Sequence, residues 1–189
     1  MTVGIRIALK SGVSLESVQA FAWDQNWNIT AATREDERPT RFGWETIDGK
    51  TSVSYVEDPY IGISYLTVTG VAVEEVSQAV RASLETWTFA EAMSLLAGAV
   101  DRDTKIRGIY ISAVSAVRRE IRELISAYRG LAGDPDADIR HALLVGIGYT
   151  GVNVELRALA EDLHRNDPDE EVRRDAGYLI EGLNLPNTP

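Results

Sequence analysis

Apolar and polar residues alternate with period two over Val3–Leu9, which predicts a half-buried strand. Ser14 predicts the cap of a short helix reaching about Ala22, and Trp27–Ala32 reads as a second strand. Phe42–Ile47 and Thr51–Val56 flank Asp48-Gly49, a strong hairpin-turn signal. Asp58-Pro59 then turns the chain into Tyr60–Thr69, rich in aromatic and β-branched residues. The order β-α-β-β-β predicts a small, mainly antiparallel sheet with one helix on it, over residues 1–70. Beyond Gly70 the period changes to that of a helix. Val76, Val80 and Leu84 mark one helix over Val73–Glu85. Thr88-Phe-Ala-Glu91 has capping-box spacing ahead of a second, Ala92–Ala99.

A repeat governs the rest of the chain. Asp101-Arg-Asp-Thr-Lys-Ile-Arg107, Asp134-Pro-Asp-Ala-Asp-Ile-Arg140 and Asp167-Pro-Asp-Glu-Glu-Val-Arg173 align without a gap, each 33 residues after the last. A helix-period apolar pattern follows every one: Ile109, Ala113 and Val114, then Ala142, Leu143 and Ile147, then Ala176, Leu179 and Ile180. The chemistry explains the recurrence. Asp-Pro-Asp forms a turn that hands a carboxylate to a helix start, where free N–H groups and the positive dipole end favour it. Ile106, Ile139 and Val172 enter the core, and the Arg that follows each reaches acidic groups or carbonyls of the neighbouring unit. These Asp and Arg residues are therefore assigned to the scaffold.

Asp-Pro-Asp-x-x-Val/Ile-Arg, an Ala/Leu-rich helix, a Gly break and a second amphipathic helix resemble the HEAT-like repeat in its short bacterial form, over about residues 101–185. Unit two carries the resemblance best, with helices near Ala137–Ile147 and Val154–Arg165 around a turn at Gly148–Asn153. In unit one no Gly or Pro separates Ile109 from Tyr128, so its helices are joined tightly or run on. Unit three has one helix before Asn184, a capping half-repeat with a short tail. The resemblance implies an α-solenoid, here of two to three helical hairpins, and a protein-binding role. The expected fold is α+β: a small α+β domain at 1–70 and a HEAT-like helical domain at 71–189.

The chain has 189 residues, and its 19 basic against 29 acidic residues leave a formal charge of −10. The acidity is shared, with 7 basic and 13 acidic residues in 1–100 and 12 and 16 in 101–189. Such a chain repels phosphate backbones, which argues against nucleic acid as a partner. No Cys is present and only two His, which removes thiolate chemistry and multi-histidine metal sites. No apolar run approaches the roughly 20 residues that span a bilayer, and the N-terminus lacks a signal peptide's pattern, so a soluble cytoplasmic protein is expected.

Motifs that carry chemistry fail on context. Gly146-Ile-Gly-Tyr-Thr-Gly151 matches the dinucleotide fingerprint in spacing but stands on a repeat helix, so its glycines are expected to end that helix and turn into the next. His141 and His164 have no metal-ligand spacing. Asp134, Asp136 and Asp138 open like a calcium loop, but Ile139 and Val145 stand where that loop needs Gly and Glu. No cofactor, metal or catalytic residue is expected. The expected function is a non-catalytic protein-binding module, in the manner of an acidic immunity protein or antitoxin that masks a basic partner. A general adaptor or assembly factor is the alternative, and a repeat-fold enzyme the third reading. Candidate contacts are Glu35, Asp36 and Glu37 in the charged Glu35–Arg41 loop, Trp44 on its strand, and Tyr128, Tyr149 and Glu155 in units one and two. Trp23 and Trp87 are expected in the core, while Trp27 and Trp44 are open between core and contact.

Overall fold

The computed structural model describes residues 4–32, 40–117, 119–151 and 153–184. The chain divides into two compact units, Met1–Thr88 and Phe89–Pro189.

The first unit holds β1 (Ile5–Ala8), α1 (Leu15–Asp24), β2 (Asn28–Ala32), β3 (Thr40–Glu45), β4 (Thr51–Asp58), β5 (Ile63–Gly70) and α2 (Val73–Ser83). The strands form one sheet in the order β1-β5-β4-β3-β2, every neighbouring pair antiparallel. Alternation sorts the side chains. Trp44 lies opposite Val53, and Val53 opposite Val68. In the adjacent row Phe42, Tyr55, Leu66 and Ile7 follow one another across the sheet. This face packs with Val18, Phe21 and Ala22 of α1 and Val73, Val76 and Val80 of α2 into one core. Local chemistry sets the ends. Ser14 Oγ caps α1 by accepting from Ser17 N. Asp48 Oδ1 accepts from Thr46 Oγ1 and Lys50 N, and Gly49 takes φ +66°, which builds the β3–β4 hairpin at the expected place.

The boundary between the units falls later than the composition suggests. Residue 71 was expected to open the helical part, but α2 gives its apolar stripe to the sheet core. Hydrogen bonds to the β3–β4 corner hold it there. Val71 N donates to Lys50 O (3.0 Å) and Ala72 N to Thr51 Oγ1 (2.9 Å). Past α2 the chain returns along β1, with Trp87 N donating to Ala8 O (2.8 Å) and Lys10 N to Glu85 O (2.9 Å). A helical period alone does not say which core a helix joins.

The second unit is all helical among its described residues: α3 (Phe89–Gly98), α4 (Arg102–Ser115), α5 (Ile121–Leu131), α6 (Ala137–Thr150), α7 (Val154–Asn166) and α8 (Glu170–Asn184). Helix α4 packs against α3 and α6, and α8 against α6 and α7. The helices of unit one are separate: α4 ends at Ser115, and Glu120 turns its carboxylate back to accept from Val117 N (3.0 Å) before α5 starts. One core runs through the unit, with Ile109, Leu124, Tyr128, Leu143, Ile147 and Leu156 sealed from solvent. Ile139 and Val172 are buried in it and Ile106 is half-buried against it. No helix among the described residues is long and apolar enough to cross a membrane.

The glycines of Gly146–Gly151 do different work from that expected. Gly146 and Gly148 lie inside α6, and only Gly151, at φ +87°, ends the helix. A helix rather than a strand precedes the motif, which removes the dinucleotide fold around it. Gly146 is needed for close approach. Tyr128 Oη donates to Ile109 O (3.0 Å), and a Cβ on Gly146 would stand 2.6 Å from that hydroxyl and 2.9 Å from Ile109 Cγ2. Gly148 is exposed, and a Cβ there would meet only Leu179 Cδ1, at 3.5 Å.

The two positions should therefore answer alanine with opposite signs. Gly146→Ala overpacks the α4–α5–α6 junction and should cost about 1–3 kcal/mol. Gly148→Ala should gain up to about 1 kcal/mol from restored helix propensity. Thermal melts of the two variants and the parent check this; equal shifts would contradict the packing described.

Candidate functional site

Each repeat turn uses its carboxylates on its own backbone. Before α6, Asp134 Oδ1 accepts from Asp136 N (3.0 Å) and Asp136 Oδ1 from Asp138 N (2.9 Å). Before α8, Asp167 Oδ1 accepts from Asp169 N (2.9 Å), and Asp169 Oδ1 from Glu171 N (2.9 Å) and Val172 N (3.1 Å). Pro135 and Pro168 disfavour the helical region for the Asp before them, so the cap falls on the third residue of the turn. Arg102 stands where those prolines stand. Helix α4 accordingly starts two residues earlier in the repeat, and Asp101 becomes the cap, accepting from Thr104 N and Oγ1 (both 2.8 Å). These bonds hold the Asp101 carboxyl below the usual carboxylate range.

Cations join successive turns. Arg140 donates through Nε and Nη2 to both oxygens of Asp167 (2.7 and 2.8 Å) and through Nη1 to Asp134 O (2.7 Å). Arg173 repeats the last bond on Asp167 O (2.6 Å). The Arg140 and Asp167 side chains are 6% and 1% exposed. In unit one Arg107 is exposed, and Lys105 instead reaches Asp134 Oδ2 (2.9 Å), while Arg102 reaches Asp138 Oδ2 (2.7 Å). The N-terminal ends of α4, α6 and α8 thus stand side by side on one acidic edge. Burial alone would raise the Asp167 carboxyl, but the bonds from Arg140 and Asp169 N outweigh it and hold it below its ordinary value. Asp134 behaves likewise, with burial opposed by Asp136 N and Lys105.

On this edge Asp101, Arg102, Asp103 and Asp136 line an open cleft of about 380 Å³. Asp103, Glu170 and Glu171 are exposed there. Elsewhere in the unit an apolar groove of about 230 Å³ is lined by Met93, Leu96, Ala97, Ala127, Gly130 and Leu131, from α3 and α5. No family model, curated protein or solved structure matches the chain. Its function is therefore read from these surfaces.

Among the described residues, the contacts expected from sequence do not assemble into a site. Glu35, Asp36 and Glu37 lie outside the described residues. Trp44 is a core residue, 2% exposed, with its ring 4.8 Å from that of Phe42 on the covered face of the sheet. Tyr128 is sealed on the inward face of α5 with Leu124 and Ile125, as its spacing from them requires, and burial drives its hydroxyl pKa far upward. Neither side chain is open to a partner. Tyr149 is half-buried in the last turn of α6. Glu155 is exposed on the first turn of α7 and accepts from Arg129 Nη2 (2.6 Å). Trp23 reverses its expectation: it is 83% exposed, because its neighbours Phe21 and Ala22 point at the sheet and the next residue points away. Trp87 is half-buried with Lys10 Nζ 5.2 Å from its ring, and Trp27 packs edge-on against Phe21.

Both histidines bond across helices. His141 Nε2 lies 2.9 Å from Asp175 Oδ2, and His164 Nδ1 2.8 Å from Arg173 O. Among the described residues no group of three His, Asp or Glu side chains is arranged to hold a metal ion. The would-be calcium ligands Asp134, Asp136 and Asp138 are engaged with N–H groups, Lys105 and Arg102 instead.

The buried pair makes a sharp forecast. Asp167→Asn or Arg140→Met leaves one buried partner unmatched and should cost about 3–5 kcal/mol in urea denaturation at neutral pH. The Asp167 and Asp134 carboxyls titrate lower when folded than the unfolded value near 3.9. Their stabilisation is therefore full above about pH 4 and is lost as pH falls through the folded values. Stability of Asp167→Asn should fall less steeply than the parent's over that acid range; parallel profiles would contradict the assignment.

Proposed function

We propose that the protein is a non-catalytic binding module whose acidic edge covers a basic partner protein, in the way an immunity protein or antitoxin masks its target. The observation that carries this reading is the line of helix starts at α4, α6 and α8. The turns there bring Asp101, Asp103, Asp136, Asp138, Asp169, Glu170 and Glu171 to one side, with Arg102 and Arg174 as exposed cations beside them. The helical unit is read as a short HEAT-like solenoid. Its support is the 33-residue period, the recurring Asp turn and the Arg-to-carbonyl bond repeated in units two and three. The apolar groove between α3 and α5 favours a second reading, an adaptor that takes apolar side chains of its partners.

Salt separates the two. A charge-steered complex associates more slowly as the Debye length shrinks from about 10 Å at 0.1 M to about 3 Å at 1 M. The partner is first isolated by co-purification from the native cell, and association is then followed by stopped flow. The on-rate should fall at least about tenfold across that salt range. It should also fall in Asp103→Asn/Glu170→Gln/Glu171→Gln with the parent's circular dichroism spectrum retained, the lost first-turn charges costing up to about 1 kcal/mol each. An on-rate indifferent to salt and to these changes would overturn the acidic-edge reading and leave the groove as the binding surface.

A further inference from the structure

The two edges of the sheet are finished differently. Beyond β1 the chain itself closes the edge: Leu9 bridges Thr86, Trp87 N donates to Ala8 O and Lys10 N to Glu85 O. Beyond β2 no described strand follows, and all five residues of Asn28-Ile-Thr-Ala-Ala32 are exposed. An edge strand left like this presents main-chain N–H and C=O groups to another strand, and proteins usually guard it with charge, proline or a bulge. Here neither charge nor proline is present. A bulge between Ile29 and Ala31 is: Thr30 and Ala31 crowd the space over Gly43, where a Cβ would stand 3.0 Å from Thr30 Oγ1 and 3.3 Å from Ala31 Cβ. It adds twist but leaves Asn28–Ile29 and Ala31–Ala32 extended. Ile29 is 68% exposed.

We infer that β2 is a self-association edge, pairing antiparallel with β2 of a second copy of this chain about a two-fold axis. Main-chain groups ask for an extended occupant, and charge selects which. A basic partner drawn by the −10 charge finds no carboxylate on β2 to receive it. Two copies of an acidic chain repel everywhere except across an uncharged surface, and β2 is one. No residue of Asn28-Ile-Thr-Ala-Ala32 is charged, so antiparallel pairing of two copies of β2 sets no charge of one strand against a charge of the other. Isologous pairing needs only this self-complementarity.

The sign of the salt effect is diagnostic. Association between like-charged copies strengthens as salt screens their repulsion, opposite to the behaviour of a charge-steered complex. Sedimentation velocity of the parent from about 1 to 200 µM should show a monomer–dimer equilibrium whose dimer fraction rises between about 0.1 and 0.5 M salt. Ile29→Lys places a guarding charge on the edge and Thr30→Pro removes an N–H where edge strands tolerate proline. Each should shift the dimer dissociation constant upward at least about tenfold, with the parent's circular dichroism spectrum retained. Val154→Lys, on α7 of the other unit, is the control and should dimerise like the parent. A parent that stays monomeric throughout, a dimer that weakens with salt, or one indifferent to both β2 changes would overturn the inference. If Ile29→Lys fails to fold, Thr30→Pro decides alone.

Discussion

The helical unit depends on a guanidinium and a carboxylate that have both left water. Arg140 and Asp167 are buried, bidentate and further bonded to Asp134 O and Asp169 N, so each nitrogen of the guanidinium and each oxygen of the carboxylate has a hydrogen-bond partner. Desolvating the two ions costs several kcal/mol each, and only such full satisfaction recovers it. The pair's value lies in what it forbids. Sliding α8 along α6 by one residue would leave two charges buried without partners, a far larger penalty than the loss of a few apolar contacts. Apolar packing among Leu143, Ile147, Leu156 and Val172 supplies cohesion, but Leu against Leu tolerates many registers. The ion pair permits one.

The same grammar is written differently at the start of the unit. Without a proline at 102, α4 begins earlier, the capping role moves from the third Asp to the first, and the buried Arg becomes an exposed one replaced by Lys105. A lysine pairs as a point charge and accepts a half-exposed position, whereas the fork of Arg140 rewards burial. The two joints thus differ in their ion pairs, half-exposed between α4 and α6 and buried between α6 and α8.

Local order was legible in the residues because its causes are local. Ser14, Asp48-Gly49, the alternating strands and the three Asp turns each act through neighbours a few positions away. Tertiary placement was not. Residues 73–83 have the same amphipathic period whether they join a sheet or a helix stack, and only the bonds of Val71 and Ala72 to the β3–β4 corner decide. Trp44 and Tyr128 were chosen as contacts for their residue type, yet strand alternation and helix spacing turn both inward. Trp23, chosen for the core, is turned outward by one residue of helical rotation. Position on a face outranks chemistry of type. The acidic edge was visible in the heptapeptides from the start, but as scaffold, since most of its carboxylates do hold the turns.

Scaffold and surface roles are compatible there because the carboxylates divide the work. Those at the first and third turn positions of units two and three are tied to N–H groups, so their charge is spent on helix starts whose dipoles favour it. That local compensation lets the chain crowd acidic groups along one edge without the self-repulsion such density brings elsewhere. The residues just after the cap, Asp103, Glu170 and Glu171, share the dipole's favour in the first helical turn, and Asp103 and Glu171 lie 3.6 and 3.8 Å from exposed Arg102 and Arg174. Their side chains face water, and changing them leaves the turn bonds of Asp101, Asp167 and Asp169 in place. The charge of the edge can therefore be altered at those three positions while the register set by Arg140 and Asp167 stands.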